Sequence, residues 1–121
     1  MKPLIHSQVQ ASGIATLSED EISIDFSNMP VRHLVALRRL DIGMSAKYCD
    51  SWNVASSSAA KALTDYLDHE FEPDVSVTND FTLRVQLTGD IESIYPYIVR
   101  FFARESVTIE RYTGERSRAV V

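Results

Sequence analysis

The sequence has little of what marks several large classes of protein. Its 121 residues include one cysteine, Cys49, which excludes a disulfide framework within the chain and a cysteine-rich zinc site. Its four glycines are scattered, so the chain carries no P-loop, no dinucleotide-binding fingerprint and no nucleophile elbow. We therefore expect no enzymatic activity, no metal and no cofactor.

A long apolar run is also missing. The most apolar stretch, residues 94–102, is interrupted by Pro96 and Arg100, and it is far shorter than the about 20 residues that span a bilayer. The first residues lack the roughly 7–15 apolar positions of a secretory signal. We expect a cytoplasmic protein without a membrane segment, in which Cys49 stays reduced.

Positive charge is scarce and unevenly placed. Lys and Arg number 12 against 17 Asp and Glu, which leaves a formal net charge of −5. This balance excludes a protein that coats nucleic acid by bulk electrostatics. Residues 27–64, however, contain five cations and two carboxylates, so a local net charge of +3 stands against −8 elsewhere. This distribution predicts a small basic face on an otherwise acidic protein.

The residues that are present predict a chain that begins with strands. Ile22, Ile24 and Phe26 alternate with polar residues, which is typical of a half-buried strand. A four-residue loop before this strand pairs Leu17 with Ile22 on the same face of a hairpin. Residues 4–10 suggest one more strand at the start.

Three helices are expected after these strands. Pro30 suits the first turn of the first helix, and Ser45 caps a short second helix that reaches Trp52. A serine among residues 56–58 caps a longer third helix, which stops before Pro73. The apolar stripe of the first helix consists of Leu34, Val35, Leu37 and Leu40.

Two hairpins and a fourth helix complete the predicted fold. Alternating apolar residues over 74–88 indicate a hairpin whose three-residue loop pairs Val77 with Phe81. Ser93 caps the last helix, which ends near Arg104, and strands over 107–112 and 116–121 form the second hairpin.

The predicted fold class is therefore α+β, with antiparallel β-hairpins and about four helices. We expect a single domain over residues 1–121. Its parts are N-terminal strands (1–26), a helical unit with its hairpin (27–88) and a C-terminal helix and hairpin (89–121).

Residues 45–63 carry the pattern of two short helices that meet at a steep angle. Cys49 stands at the position of closest approach and Asn53 at the turn. This segment resembles the helix-turn-helix of bacterial DNA-binding proteins, and the hairpin of residues 74–88 follows where winged-helix proteins carry their wing. The resemblance implies a central three-helix unit with a wing. The apolar positions of the pattern are Tyr48, Trp52, Val54, Ala59 and Ala62.

The same resemblance implies a small, dimeric transcription regulator that binds double-stranded DNA. Its recognition helix would read the major groove, while nearby cations and the wing would contact the phosphate backbone. The DNA-binding residues implied in this way are Arg38, Arg39, Lys47, Ser56, Ser57, Lys61 and Arg84.

The C-terminal part favours an alternative, because aromatic residues beside arginines are the composition of interface hot spots. In this alternative the protein is a non-enzymatic acidic binding module, an adaptor or inhibitor that docks on a partner such as a nucleic-acid-handling machine. Its central helices then pack a core and contact no DNA. The interface residues that we expect, for a homodimer or another protein, are Tyr95, Tyr97, Phe101, Phe102 and Tyr112.

Overall fold

The computed structural model of this protein describes residues 12–41 and 47–112, which fold into a five-stranded sheet with three α-helices packed on one face. The strands are β1 (Ser12–Leu17), β2 (Glu21–Asp25), β3 (Asp74–Val77), β4 (Thr82–Gln86) and β5 (Thr108–Arg111). The α-helices are α1 (Leu34–Arg39), α2 (Trp52–Tyr66) and α3 (Ile91–Ala103), with short 3-10 helices at Val31–His33 and His69–Phe71. The predicted α+β class is thus confirmed.

The strands follow one another across the sheet in the order β3-β4-β2-β1-β5. The first three neighbouring pairs are antiparallel, but β5 lies parallel to β1. The strand predicted over residues 107–112 is confirmed as β5, and it makes the sheet mixed, because α3 forms a crossover between β4 and β5 that carries the chain past β2 and β1. The second strand of the predicted C-terminal hairpin, residues 116–121, lies outside the described residues.

The hairpin of β1 and β2 has the predicted register. Leu17 pairs with Ile22 and Ala15 with Ile24, so the alternating apolar side chains of both strands point to the helices. The further strand predicted over residues 4–10 lies outside the described residues.

The hairpin of β3 and β4 exists, but its predicted three-residue loop is wrong. Val77 pairs with Leu83 instead of Phe81, and the backbone N–H of Thr78 donates to the carbonyl of Thr82 at 2.9 Å. Phe81 takes a left-handed φ of 67° within the loop, and its ring stacks on Trp52 at 5.0 Å between centroids. This shift of two residues keeps the same side chains facing the core.

The first predicted helix is confirmed, although its first turn is a 3-10 helix that precedes α1. Leu34, Leu37 and Leu40 are buried as the apolar stripe requires.

The short helix predicted to end at Trp52 is absent from residues 47–51, which have no helical structure. Trp52 instead begins α2, and the Ser51 hydroxyl caps this helix by accepting a hydrogen bond from the N–H of Val54 at 3.4 Å. Asn53 therefore lies in a first helical turn rather than between two helices. The helix-turn-helix unit is not confirmed, and the described residues form three α-helices instead of four.

The serine caps predicted for α2 and α3 are wrong as well. Residues 56–58 lie inside α2, and α3 begins after Asp90 rather than after Ser93. The Asp90 carboxylate accepts hydrogen bonds from the N–H of Glu92 at 3.3 Å and from the Ser93 hydroxyl at 2.7 Å. An ionised side chain at this position also interacts favourably with the helix dipole.

Phe26 lies at the centre of the core, directly after β2. Its ring is fully buried, with centroids 6.0 Å from Trp52 of α2 and 5.6 Å from Phe102 of α3. Beneath the ring, β1 carries Gly13, where an added Cβ would lie 2.6 Å from the Phe26 Cε1 atom and 2.8 Å from Ile24 Cγ2. The glycine thus makes room for the ring that joins the sheet to two helices.

We expect Gly13→Ala to lower the free energy of unfolding by about 1–3 kcal/mol, because the new methyl group overpacks the core against Phe26. The measurement is urea unfolding followed by the fluorescence of Trp52, the single tryptophan, which is buried. Thr16→Ala, on the exposed face of the same strand, is the matched control. Equal stability of the two variants would contradict this account of Gly13.

Candidate functional site

The residues predicted to bind DNA do not share one surface. Arg84 lies on the sheet face opposite the helices, since its neighbours Leu83 and Val85 point into the core. Its guanidinium binds the Glu21 carboxylate through two hydrogen bonds, Nε–Oε2 at 2.7 Å and Nη2–Oε1 at 3.1 Å. Arg84 therefore cannot act as a wing residue beside Lys61, which lies on α2.

Two of the serines near the start of α2 are buried. Ser56 has no exposed surface and donates its hydroxyl to the carbonyl of Asn53 at 3.4 Å, so the prediction that it faces a DNA groove is wrong. Ser58 is also buried and accepts a hydrogen bond from Arg38 Nη1 at 3.4 Å. The side of α2 that carries these serines packs in the core, whereas Ser57 is exposed.

Four predicted cations remain at the surface around α1 and α2. Arg39, Lys47 and Lys61 are exposed, and Arg38 is half-buried beside α2. The Lys61 ammonium lies 3.8 Å from the Asp41 carboxylate, which offsets part of its charge. These residues are compatible with a weak phosphate contact, yet they do not form a groove-reading helix.

Phe101 and Phe102 are fully buried, so the prediction that they form an interface is wrong. Their rings meet edge to face at 5.0 Å between centroids in the core that α3 buries against the sheet. Tyr95 is half-buried, and burial raises the pKa of its phenol. Tyr97 and Tyr112 are the exposed members of the predicted set, at 46% and 49% of their surface.

The outer side of α3 packs its arginines on aromatic rings. The Arg100 guanidinium carbon lies 4.8 Å from the centre of the Tyr97 ring. The Arg104 guanidinium lies 5.6 Å from the Tyr66 ring and 5.0 Å from the Phe101 ring, and these two rings are 5.1 Å apart. The positive charge of each arginine thus lies over the electron-rich face of a ring.

Tyr66 ends α2 and lines two shallow cavities that both reach residues at α3. One has a volume of about 240 Å³, and Asp65 and Arg104 are among its lining residues. The other has a volume of about 320 Å³ and is lined by residues that include Asp68 and Tyr97. We call this surface the α2/α3 seam, and its members are Asp65, Tyr66, Asp68, Tyr97, Arg100 and Arg104.

Tyr66 is a surface residue of the seam that was not among the residues predicted from the sequence. The signal that could have identified it is its position at the last turn of α2, where the residue is 38% exposed. The arginines of the seam were noted only as neighbours of the aromatic residues, because their stacking partners come partly from another helix.

Cys49 is buried, as a core residue should be, and its thiol lies 3.6 Å from the carbonyl of Ser51. Next to it, the exposed Tyr48 hydroxyl donates to the Asp50 carboxylate at 2.8 Å, which raises the pKa of this tyrosine. Within residues 12–41 and 47–112, no cluster of three His, Cys, Asp or Glu side chains has the arrangement of a metal site.

The helices in the described part of the chain are all too short or too polar to cross a bilayer. Comparisons of the chain with protein-family models, with curated protein sequences and with solved structures each found no match.

The ion pair of Arg84 and Glu21 predicts a stability that depends on pH. The hydrogen bonds from Arg84 lower the pKa of Glu21 below its ordinary value of 4.5, so the pair stabilises the fold above that pH. We expect Arg84→Ala to lower the melting temperature near pH 7, and the difference from wild type to shrink as the pH falls through the lowered pKa of Glu21. Thermal unfolding between about pH 7 and 2.5 measures this change.

Arg32→Ala is the control, because it removes an exposed arginine for which the described residues show no ion pair. If the difference in melting temperature between Arg84→Ala and wild type stays constant down to the lowest pH measured, the stabilisation by Arg84 does not depend on the charge of Glu21.

Proposed function

We propose that this protein is a binding module that docks on another protein chain through the α2/α3 seam. The observation that carries the proposal is the stacking of Arg100 and Arg104 on tyrosine rings at the surface, beside two cavities. Tyrosine and arginine are, with tryptophan, the residues most enriched at the energetic centres of protein interfaces.

The arginines of the seam have hydrogen-bonding capacity to spare. Among the described residues, the ion pairs and hydrogen bonds involve neither the Arg100 nor the Arg104 guanidinium, whose contacts are with aromatic rings. Stacking leaves the N–H groups along the edge of each guanidinium free to bind a carboxylate or a carbonyl. Because the ring already restrains the side chain, less conformational entropy is lost when a partner binds.

The seam also offers apolar surface. Tyr66 and Tyr97 expose 38% and 46% of their surface, and both rings line the larger cavity together with Leu67 and Phe71. Removing such rings from water would supply the hydrophobic part of the binding free energy. The combination of rigid rings, free guanidinium edges and a shallow cavity supports protein docking better than reading of DNA.

Site-specific photo-crosslinking in cells of the source organism tests this function. We expect a p-benzoylphenylalanine placed at Tyr97 to form one discrete adduct with another protein chain, because Tyr97 lies in the proposed contact. The same probe at Val31 is the matched control, since Val31 is an exposed apolar residue, 57% exposed, on a different element.

Loss of the adduct at position 97 when Arg104→Ala is added would assign the contact to the seam. A chain that gives no adduct from position 97, or the same adducts from both positions, would refute the proposed function.

DNA binding stays a prediction, now confined to the exposed cations around α1 and α2. A titration of duplex DNA at several salt concentrations, comparing wild type with Lys61→Ala and with Arg38→Ala/Arg39→Ala, measures it. If these cations hold phosphates, each variant should weaken binding and reduce its salt dependence. Arg84→Ala is the control, because Arg84 lies on the opposite face of the sheet. Absence of salt-sensitive binding by the wild type would exclude DNA as the partner.

A further inference from the structure

We infer that the partner of the α2/α3 seam is a second copy of this chain, joined by a two-fold axis that runs along the seam. This inference rests on the proposed function, since it names the partner of the same surface. It is carried by the distribution of charge on the two sides of the seam, which makes the surface complementary to itself.

The two sides of the seam carry opposite charge. Asp65 in the last turn of α2 and Asp68 two residues after its end form an acidic row. Arg100 in the last turn of α3 and Arg104 directly after it form a basic row. All four residues are exposed. Lys61, which precedes the acidic row on α2, has its ammonium 3.8 Å from Asp41 and so adds little net charge to that side.

The two rows also match in level. Asp65 and Arg104 line one cavity, while Asp68 and Tyr97 line the other, and Arg100 stacks on Tyr97. The chain therefore runs in opposite directions on the two sides of the seam. Along the seam, Asp65 lies beside Arg104, and Asp68 lies at the same position as Arg100, at the other end of the basic row. The exposed rings of Tyr66 and Tyr97 both line the cavity that Asp68 lines.

A two-fold axis parallel to the seam exchanges its two sides. Each residue of the second copy keeps its position along the seam. It places the acidic row of each copy opposite the basic row of the other, and Tyr66 of each copy opposite Tyr97 of the second copy. Every attractive pair then occurs twice, as an isologous interface requires. The free guanidinium edges of Arg100 and Arg104 become donors to the carboxylates of the other chain.

A partner with a uniformly acidic or basic surface fits this pattern less well. Such a partner would meet repulsion from one row while it binds the other, and like charges in contact cost affinity. A second copy meets attraction on both sides, which is why charge complementarity favours it.

The test is the mass of the full chain in solution, measured by sedimentation equilibrium and light scattering over a range of concentrations. We expect the wild type to form dimers of the 13.6 kDa chain. Arg104→Glu and Asp65→Arg should each raise the dimer dissociation constant by roughly tenfold or more, because each places like charges together twice per dimer.

A mixture of the two variants in equal amounts provides the decisive result. In the mixed dimer, the acidic row of Arg104→Glu faces the basic row of Asp65→Arg, and the reversed residues also attract each other. We expect the mixture to form heterodimers close to wild-type affinity. Arg32→Glu and Glu19→Arg, exposed charge reversals on other elements, are the controls and should dimerise like the wild type. Unfolding followed by Trp52 fluorescence confirms that each variant is folded.

A monomeric wild type at about 100 µM, a concentration far above the Kd of a specific dimer, would overturn the inference. So would variants that dimerise as tightly as the wild type, or a mixture that stays monomeric. If the wild type is monomeric while the probe at Tyr97 captures a different protein, the second copy is refuted and the proposed function stands. If that probe captures nothing, both are refuted.

Discussion

The packing of Phe26 over Gly13 is the constraint on which the rest of this structure depends. The ring fits against β1 because the glycine has no Cβ, and it then contacts Trp52 of α2 and Phe102 of α3. The backbone N–H of Phe26 also donates to the carbonyl of Phe81 at 2.8 Å, which joins the end of β2 to the loop before β4. One buried ring thus sets the positions of both long helices relative to the sheet.

The exposed surface follows from this arrangement. Because α3 turns Phe101 and Phe102 toward Phe26 and the core, the opposite side of the same helix must carry Tyr97, Arg100 and Arg104 into solvent. At the last turn of α2, Tyr66 packs its ring against Phe101 and beneath Arg104. The α2/α3 seam, which we propose as a docking site, is therefore the solvent-facing side of the same helices whose inner sides form the core.

Much of the fold could be predicted from local pattern, and the failures share a cause. The β1–β2 register and the first helix were predicted correctly, because alternation and helical spacing report directly which face of an element is buried. The helix-turn-helix unit is not confirmed, because Tyr48 precedes α2 in non-helical chain and two of the apolar positions of the pattern, Tyr48 and Val54, are exposed. For the candidate site, the aromatic and arginine composition of α3 was informative, but composition alone did not distinguish Phe101 and Phe102 from their exposed neighbours.

The sequence by itself determined most of the strands, the first helix, the inward face of each hairpin and the acidic balance of the chain. These properties depend on neighbours within a few residues, where backbone geometry and side-chain polarity act directly. Only the tertiary structure decided that β5 lies parallel to β1, that Arg84 faces away from the helices, and that Tyr66 joins Arg104 across two helices. Those outcomes depend on which elements, distant in sequence, pack together around Phe26. The pattern of residues within one element does not determine which other elements it contacts.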